Sequence, residues 1–196
     1  MCDAVNSKLH RRKETLQNGS TMVAMVVGMD GWHFSRAILQ EFPDPQEARD
    51  RRGAAFTFDS RAFADFVKLL KSQPEKTVRA PSFSHSVKDP VAEDIPVSAQ
   101  HRLVIIEGLY CNCNEGEWGR GASALDERWV LEVDKDVARE RLKTRHVETG
   151  VAKDEAEALW RGESKCLDSP TGLNQRNLLS TSKSGSHAKS LLCSFS

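Results

Sequence analysis

The chain has 196 residues, enough to bury a core without metals or disulfides, and its length predicts one domain with a tail. Lys plus Arg total 28 and Asp plus Glu total 28, so the formal net charge is zero. That balance gives no global basic field to hold a nucleic-acid backbone, and no apolar run approaches the ~20 residues of a membrane span, so neither nucleic acid nor membrane is an expected partner.

Residues 1–20 are polar and charged, with a basic run from Lys8 to Lys13 and a turn-like Asn18-Gly19-Ser20. They hold no apolar signal-peptide core, so a soluble, cytoplasmic chain is expected. Met22 to Val27 is a continuous apolar run that closes on Gly28-Met29-Asp30-Gly31. Continuous rather than alternating hydrophobicity suits a strand buried on both faces of a parallel sheet. Ser35 is placed to cap a short helix through Leu39. Asp44 as N-cap and Pro45 at the first helical position start another, which runs towards Arg52 and stops at Gly53. Asp59 and Ser60 precede Phe63, Phe66, Val67 and Leu70 at helical spacing, which predicts an amphipathic helix over 60–71.

Thr77 to Ala80 reads as a short strand ended by Pro81. Arg102 to Ile106 is a second apolar strand closing on Glu107-Gly108, and Trp129 to Val133 a third closing on Asp134. Residues 135–148 predict a charged helix with Val137, Leu142 and Val147 inward, and Asp154 to Arg161 also reads as helical. From Ser169 onwards no acidic residue occurs and serine is frequent, the composition of a disordered tail. The expected division is an irregular segment over 1–20, an α/β domain over 21–163 and a serine-rich disordered tail over 164–196.

The five cysteines, Cys2, Cys111, Cys113, Cys166 and Cys193, are odd in number and show neither disulfide-framework nor zinc-ligand spacing, so they are expected to be reduced and non-catalytic. Strands alternating with helices, with polar residues just past strand ends, point to an α/β parallel sheet. Ligands of such sheets sit beyond the carboxyl ends of the strands, which selects Asp30, Glu107 and Asp134.

Asp30 lies between two glycines that permit a tight turn and a close approach. Its carboxylate either takes a proton from a substrate hydroxyl, general-base help worth about 10²–10⁴-fold in rate, or satisfies local turn amides. Glu107, at the end of a buried strand, either holds Mg²⁺ through water or substrate hydroxyls, or caps the next helix. Asp59 is placed to cap the helix that follows it, and His85 is either a ligand or a loop histidine. Arg141 and Arg145 share a helix face, where they form either a phosphate clamp or a solvated basic stripe.

Together these residues resemble the phosphoribulokinase/uridine kinase family of P-loop proteins over roughly residues 22–163, most nearly a branch similar to uridine and pantothenate kinases. Four ordered motifs carry the resemblance: Met29-Asp30-Gly31-Trp32-His33; Arg51-Arg52-Gly53-Ala54-Ala55-Phe56-Thr57-Phe58-Asp59; Ala80-Pro81-Ser82-Phe83-Ser84-His85 with Lys88-Asp89-Pro90; and Ile106-Glu107-Gly108-Leu109-Tyr110. The resemblance implies a parallel-sheet kinase fold and transfer of phosphate from ATP, with Mg²⁺, to a hydroxyl of a nucleoside-, sugar- or pantothenate-like acceptor. It implies Asp30 as the activator of that hydroxyl and His33, Arg52, Asp59, His85 and Glu107 around the acceptor. Glu107 would also stand near the metal, with Arg141 and Arg145 in a lid over the ATP phosphates.

The family places G-x-x-x-x-G-K-[ST] upstream of the aspartate motif, where its amides and lysine cradle phosphates. Here the 29 residues before Asp30 contain Gly19 and Gly28 but no Gly-Lys-Ser/Thr. The strand that leads into that loop is central in the fold, so its loss is expected to leave two strands without a partner. A truncated gene product or gene model, inactive as a kinase, is therefore expected; the alternative is a non-catalytic protein that binds a metabolite or partner through the surviving pocket.

Overall fold

The computed structural model describes residues 23–84, 86–129, 135–148 and 190–194. Strand β1, Ala24–Gly28, passes directly into a 3-10 turn over Met29–Trp32. Helix α1, Arg36–Leu39, is capped by the Ser35 hydroxyl, which accepts from the Ile38 amide. Helix α2, Pro45–Asp50, is capped by Asp44, whose carboxylate accepts from the Glu47 amide at 2.9 Å. A 3-10 turn over Ala55–Thr57 leads into α3, Ser60–Ser72, capped by Asp59. Strands β2, Val78–Ser84, and β3, Asp89–Val97, form an antiparallel hairpin. Then follow β4, Leu103–Glu107; α4, Gly116–Ala122; β5, Glu127–Arg128; α5, Lys135–Glu148; and β6, Ser190–Ser194.

The main sheet is parallel throughout, in the order β1–β4–β6–β5. Its principal core lies on one face. Val27 and Met29 meet Val104 and Ile106 there, beneath Phe63, Phe66, Val67 and Leu70 from the apolar stripe of α3. Each such side chain, fully buried, contributes roughly 1.5–3 kcal/mol. Ala24 and Ile105 form a smaller cluster with Leu103 and Trp129. Charged side chains tie α3 to α4 and the turn that follows α4: Arg120 donates to Asp65 at 2.7 Å, and Lys71 pairs with Asp126.

Several expectations change. Pro81 does not end a strand. It sits where the hairpin register shifts between Ala80 and Ser82, and a bulge in a two-stranded sheet tolerates a residue with no amide proton. Strand β3 and helix α4 escaped notice because β3 carries Pro90, Glu93, Asp94 and Pro96, and α4 holds three glycines in seven residues. Val137 and Val147 are exposed rather than inward, since two valines among so many charged residues make no continuous stripe. Strand β5 precedes Trp129 rather than starting there, and residues 130–134 lie outside the described residues. So do residues 1–20, the helix expected over Asp154 to Arg161, and His85.

The largest correction concerns the serine-rich tail. Residues 190–194 are not disordered but form β6, inserted between β4 and β5, with Leu103 opposite Ser190 and Glu107 opposite Ser194. A three-residue apolar run, Leu191-Leu192-Cys193, is too short to announce a strand within a serine-rich composition. An open position between two parallel strands supplies the backbone donors and acceptors that hold it.

Candidate functional site

The carboxyl ends of three neighbouring parallel strands are level: Gly28 stands opposite Glu107, and Glu107 opposite Ser194. The Glu107 side chain leans over Gly28, and a Cβ built on that glycine would stand 3.1 Å from Glu107 Oε1. Two residues on, Asp30 lies in the 3-10 turn with its side chain 57% exposed. The two acids chosen from sequence therefore rise from one edge of the sheet.

Glycine at position 31 is set by packing. A Cβ there would collide with the Pro81 carbonyl, because β2 crosses directly over the turn. This contact seats the hairpin against the aspartate turn. A second junction brings in Asp59. The Asp59 amide donates to Trp32 O at 2.8 Å and the Phe34 amide to Thr57 O at 2.9 Å, with an antiparallel bridge between His33 and Phe58. Asp59 itself accepts from the Ala62 amide at 2.8 Å, so it caps α3 as well as lining the adjacent cavity.

His33 links the parts. Its ring stacks on Phe58 at 3.8 Å between centroids and leans on Phe83, and its Nε2 is 4.0 Å from Asp30 Oδ1. Burial lowers its pKa from 6.5 to about 4; Asp30 pulls the other way and Arg52 adds to the lowering. At neutral pH the imidazole is uncharged; its Nδ1 is buried, and the Thr57 backbone joins Asp30 in opposing the lowering that burial causes. Beside it opens a cavity of about 630 Å³ between the aspartate turn, α3 and the hairpin. That volume is typical of small-molecule sites, which run to roughly 300–1,000 Å³.

Arg52 is engaged at the hairpin tip. Its guanidinium donates to Lys88 O at 2.6 Å, Phe34 O at 3.3 Å and Asp89 Oδ1 at 3.0 Å, and lies over the Phe83 ring. Asp89 also accepts from the Arg36 amide at 2.8 Å. Burial would raise the Asp89 pKa, but the Arg36 amide and the Arg52 guanidinium hold it below the usual carboxylate value. Arg141 and Arg145 lie four residues apart on α5, with Arg141 exposed. Among the described residues no group of three or more His, Cys, Asp or Glu could hold a metal ion by itself. A Mg²⁺ bound chiefly by nucleotide phosphates and water, with one carboxylate such as Glu107, remains compatible with this edge.

Sequence reasoning reached Trp32, His33 and Asp59 but missed the rest of the cavity wall. Phe66 and Leu69 carry only the signal of an amphipathic helix. Arg79 and Glu93 lie in a hairpin that was half recognised.

No family model matches the chain. It is 45% identical over 136 residues to an ATP-dependent kinase-like protein of Aspergillus versicolor, covering 68% of this chain and 79% of that one. It is 37% identical over 139 residues to a candidate uridine kinase of Schizosaccharomyces pombe, covering 71% of this chain and 59% of the relative's length. A solved structure from Saccharomyces cerevisiae, of a candidate P-loop-containing kinase with a circular permutation, superposes with a TM-score of 0.65 at 25% identity. That match covers 89% of this chain and 58% of the other.

Proposed function

Since the chain belongs to a family of ATP-dependent, uridine-kinase-like P-loop kinases, we propose that it carries the acceptor half of an ATP:alcohol phosphotransferase. The alcohol lies against the aspartate turn, with its hydroxyl at Asp30. Support comes above all from one observation: Gly28 and Glu107 are level on adjacent parallel strands, so Asp30 and Glu107 rise from one edge, and although neither lines the cavity of ligand size, Gly31 and His33 of the Asp30 turn do.

In this reading Asp30, exposed and close to an uncharged His33, would take the proton of the acceptor hydroxyl as its oxygen bonds to the γ-phosphorus of ATP, the bond to the bridging oxygen breaks and ADP leaves. Asp59 and His33 orient the acceptor from the cavity wall. Glu107 would hold a hydrated Mg²⁺, which would supply neutralisation of charge on the transferring phosphate. Arg141 and Arg145 are offered as lid cations for ATP. Arg52 serves by holding the hairpin in place rather than by touching the acceptor.

The 196 residues contain no Gly-Lys-Ser/Thr loop. Binding without turnover is therefore expected of this chain by itself, which is also what a non-catalytic metabolite-binding descendant would do. Incubation with Mg-ATP and a panel of nucleosides, sugars and pantothenate-like alcohols should give no product above background. Calorimetry without ATP should detect an alcohol whose affinity falls at least tenfold in Asp59→Ala. Failure of every alcohol to bind, with apolar aryl-alkyl alcohols added to the panel, would overturn the proposal.

A further inference from the structure

The cavity beside His33, one contact away from Asp30, is walled chiefly by carbon. Trp32, Phe34 and Ile38 come from the turn and α1, Phe66 and Leu69 from α3, and Pro81 and Pro90 from the hairpin. Two of these, Ile38 and Leu69, keep 44% and 38% of their surface exposed, so they leave apolar area in the wall that folding has not covered. An acceptor bearing hydroxyls all round would lose hydrogen bonds to water against such walls without recovering them.

The polar groups at the rim carry a sign. Asp59, Asp65 and Glu93 are acidic, and Asp65 is already paired with Arg120. The basic residue in the lining, Arg79, directs its guanidinium to Glu93 O at 2.5 Å and Asp94 O at 3.5 Å. His33, the remaining nitrogen base there, is uncharged at neutral pH. A carboxylate or phosphate on the acceptor would meet a surplus of negative charge here, and among the described lining residues the one guanidinium, that of Arg79, is engaged by backbone carbonyls.

Resting on the acceptor-site reading above, we propose that the acceptor is an uncharged or cationic alcohol with a bulky apolar body, which fills this cavity and presents its hydroxyl past His33 to Asp30. Polyhydroxylated sugars, sugar phosphates and pantothenate-like carboxylates are disfavoured.

Calorimetry on the chain at neutral pH, with four probes, tests this. They are 3-phenylpropan-1-ol, its methyl ether (which has no hydroxyl to donate), 3-phenylpropanoate and ribose. The phenyl alcohol should bind at least tenfold more tightly than the carboxylate or ribose. Leu69→Asp and Ile38→Asp, both at exposed positions and each checked by thermal melting, should weaken it at least tenfold. Ribose or 3-phenylpropanoate binding as well as the phenyl alcohol, no effect of either substitution, or no binding of the phenyl alcohol would overturn the inference. The underlying reading has its own readout. If the methyl ether binds as well as the alcohol and Asp30→Asn changes neither, the apolar cavity stands but the hydroxyl is not held at Asp30. If instead ribose binds best and depends on Asp30, the acceptor site stands and the apolar body is wrong.

Discussion

His33 shows how one side chain makes stability depend on pH. In the unfolded chain it takes up a proton near its ordinary pKa of 6.5; in the fold, burial delays that to about 4. Between those values the unfolded state binds more protons, so stability falls as pH drops from about 6.5 towards 4 and is fully restored above that window. Asp30 and Arg52 face the ring and act in opposite directions, and neither reverses the sign. His33→Phe, which keeps an aromatic ring against Phe58, should flatten this part of the profile. Thermal melts of both proteins across pH 4–7 check it: the difference in midpoint should change through the window and level off above pH 6.5. The positions of Asp30 and Glu107 at neighbouring strand ends were legible from sequence because a polar residue just past an apolar run has few places to go in a parallel sheet. The histidine's uncharged state was not, because it comes from Phe58 and Phe83, which lie far from it along the chain.

Among the elements, the helices were the most readable. Ser35, Asp44 and Asp59 act as the N-caps their positions suggested, each accepting from an amide three residues on. Hydrogen bonds of this kind are local, so the sequence contains both partners. The β2–β3 hairpin was only half visible because it depends on partners elsewhere: Pro81 over Gly31, and Arg52 with Asp89. The Arg52–Asp89 pair is part-buried and supplemented by the Lys88 and Phe34 carbonyls, which sets it apart from a solvent-exposed ion pair. A double-mutant cycle with Arg52→Gln and Asp89→Asn, followed by urea unfolding, should give a coupling energy of about 1–2 kcal/mol. A value near zero would show that the hairpin is seated by its apolar contacts alone.

Across the whole molecule, the alternation of strands and helices was enough to give the parallel α/β class, and the order of the four motifs gave the family. What could not be read was the middle of the sheet. The absence of an upstream Gly-Lys-Ser/Thr strand implied that two strands would lack a partner, yet β6 lies between them. Strand pairing over such a distance leaves little trace in local composition, and Leu191-Leu192-Cys193 is the whole of the signal. Leu192→Pro, which removes one ladder amide from a central strand and leaves its carbonyl partner unsatisfied, should cost about 1–3 kcal/mol. It should also strip hydrogen-exchange protection from Val104 and Ile106 on β4, whose amides face β6, since the Leu103 amide and its alternate neighbours turn towards β1. Unchanged protection at those amides would mean that β6 contributes nothing to the sheet.

The placement of β6 also dictates an order of events while the protein is being made. Leu103 must wait for Ser190 to leave the ribosome before its second neighbour exists. Throughout that interval the nascent chain presents a bare strand flank that any other extended peptide could occupy, a period in which chaperone protection would matter most.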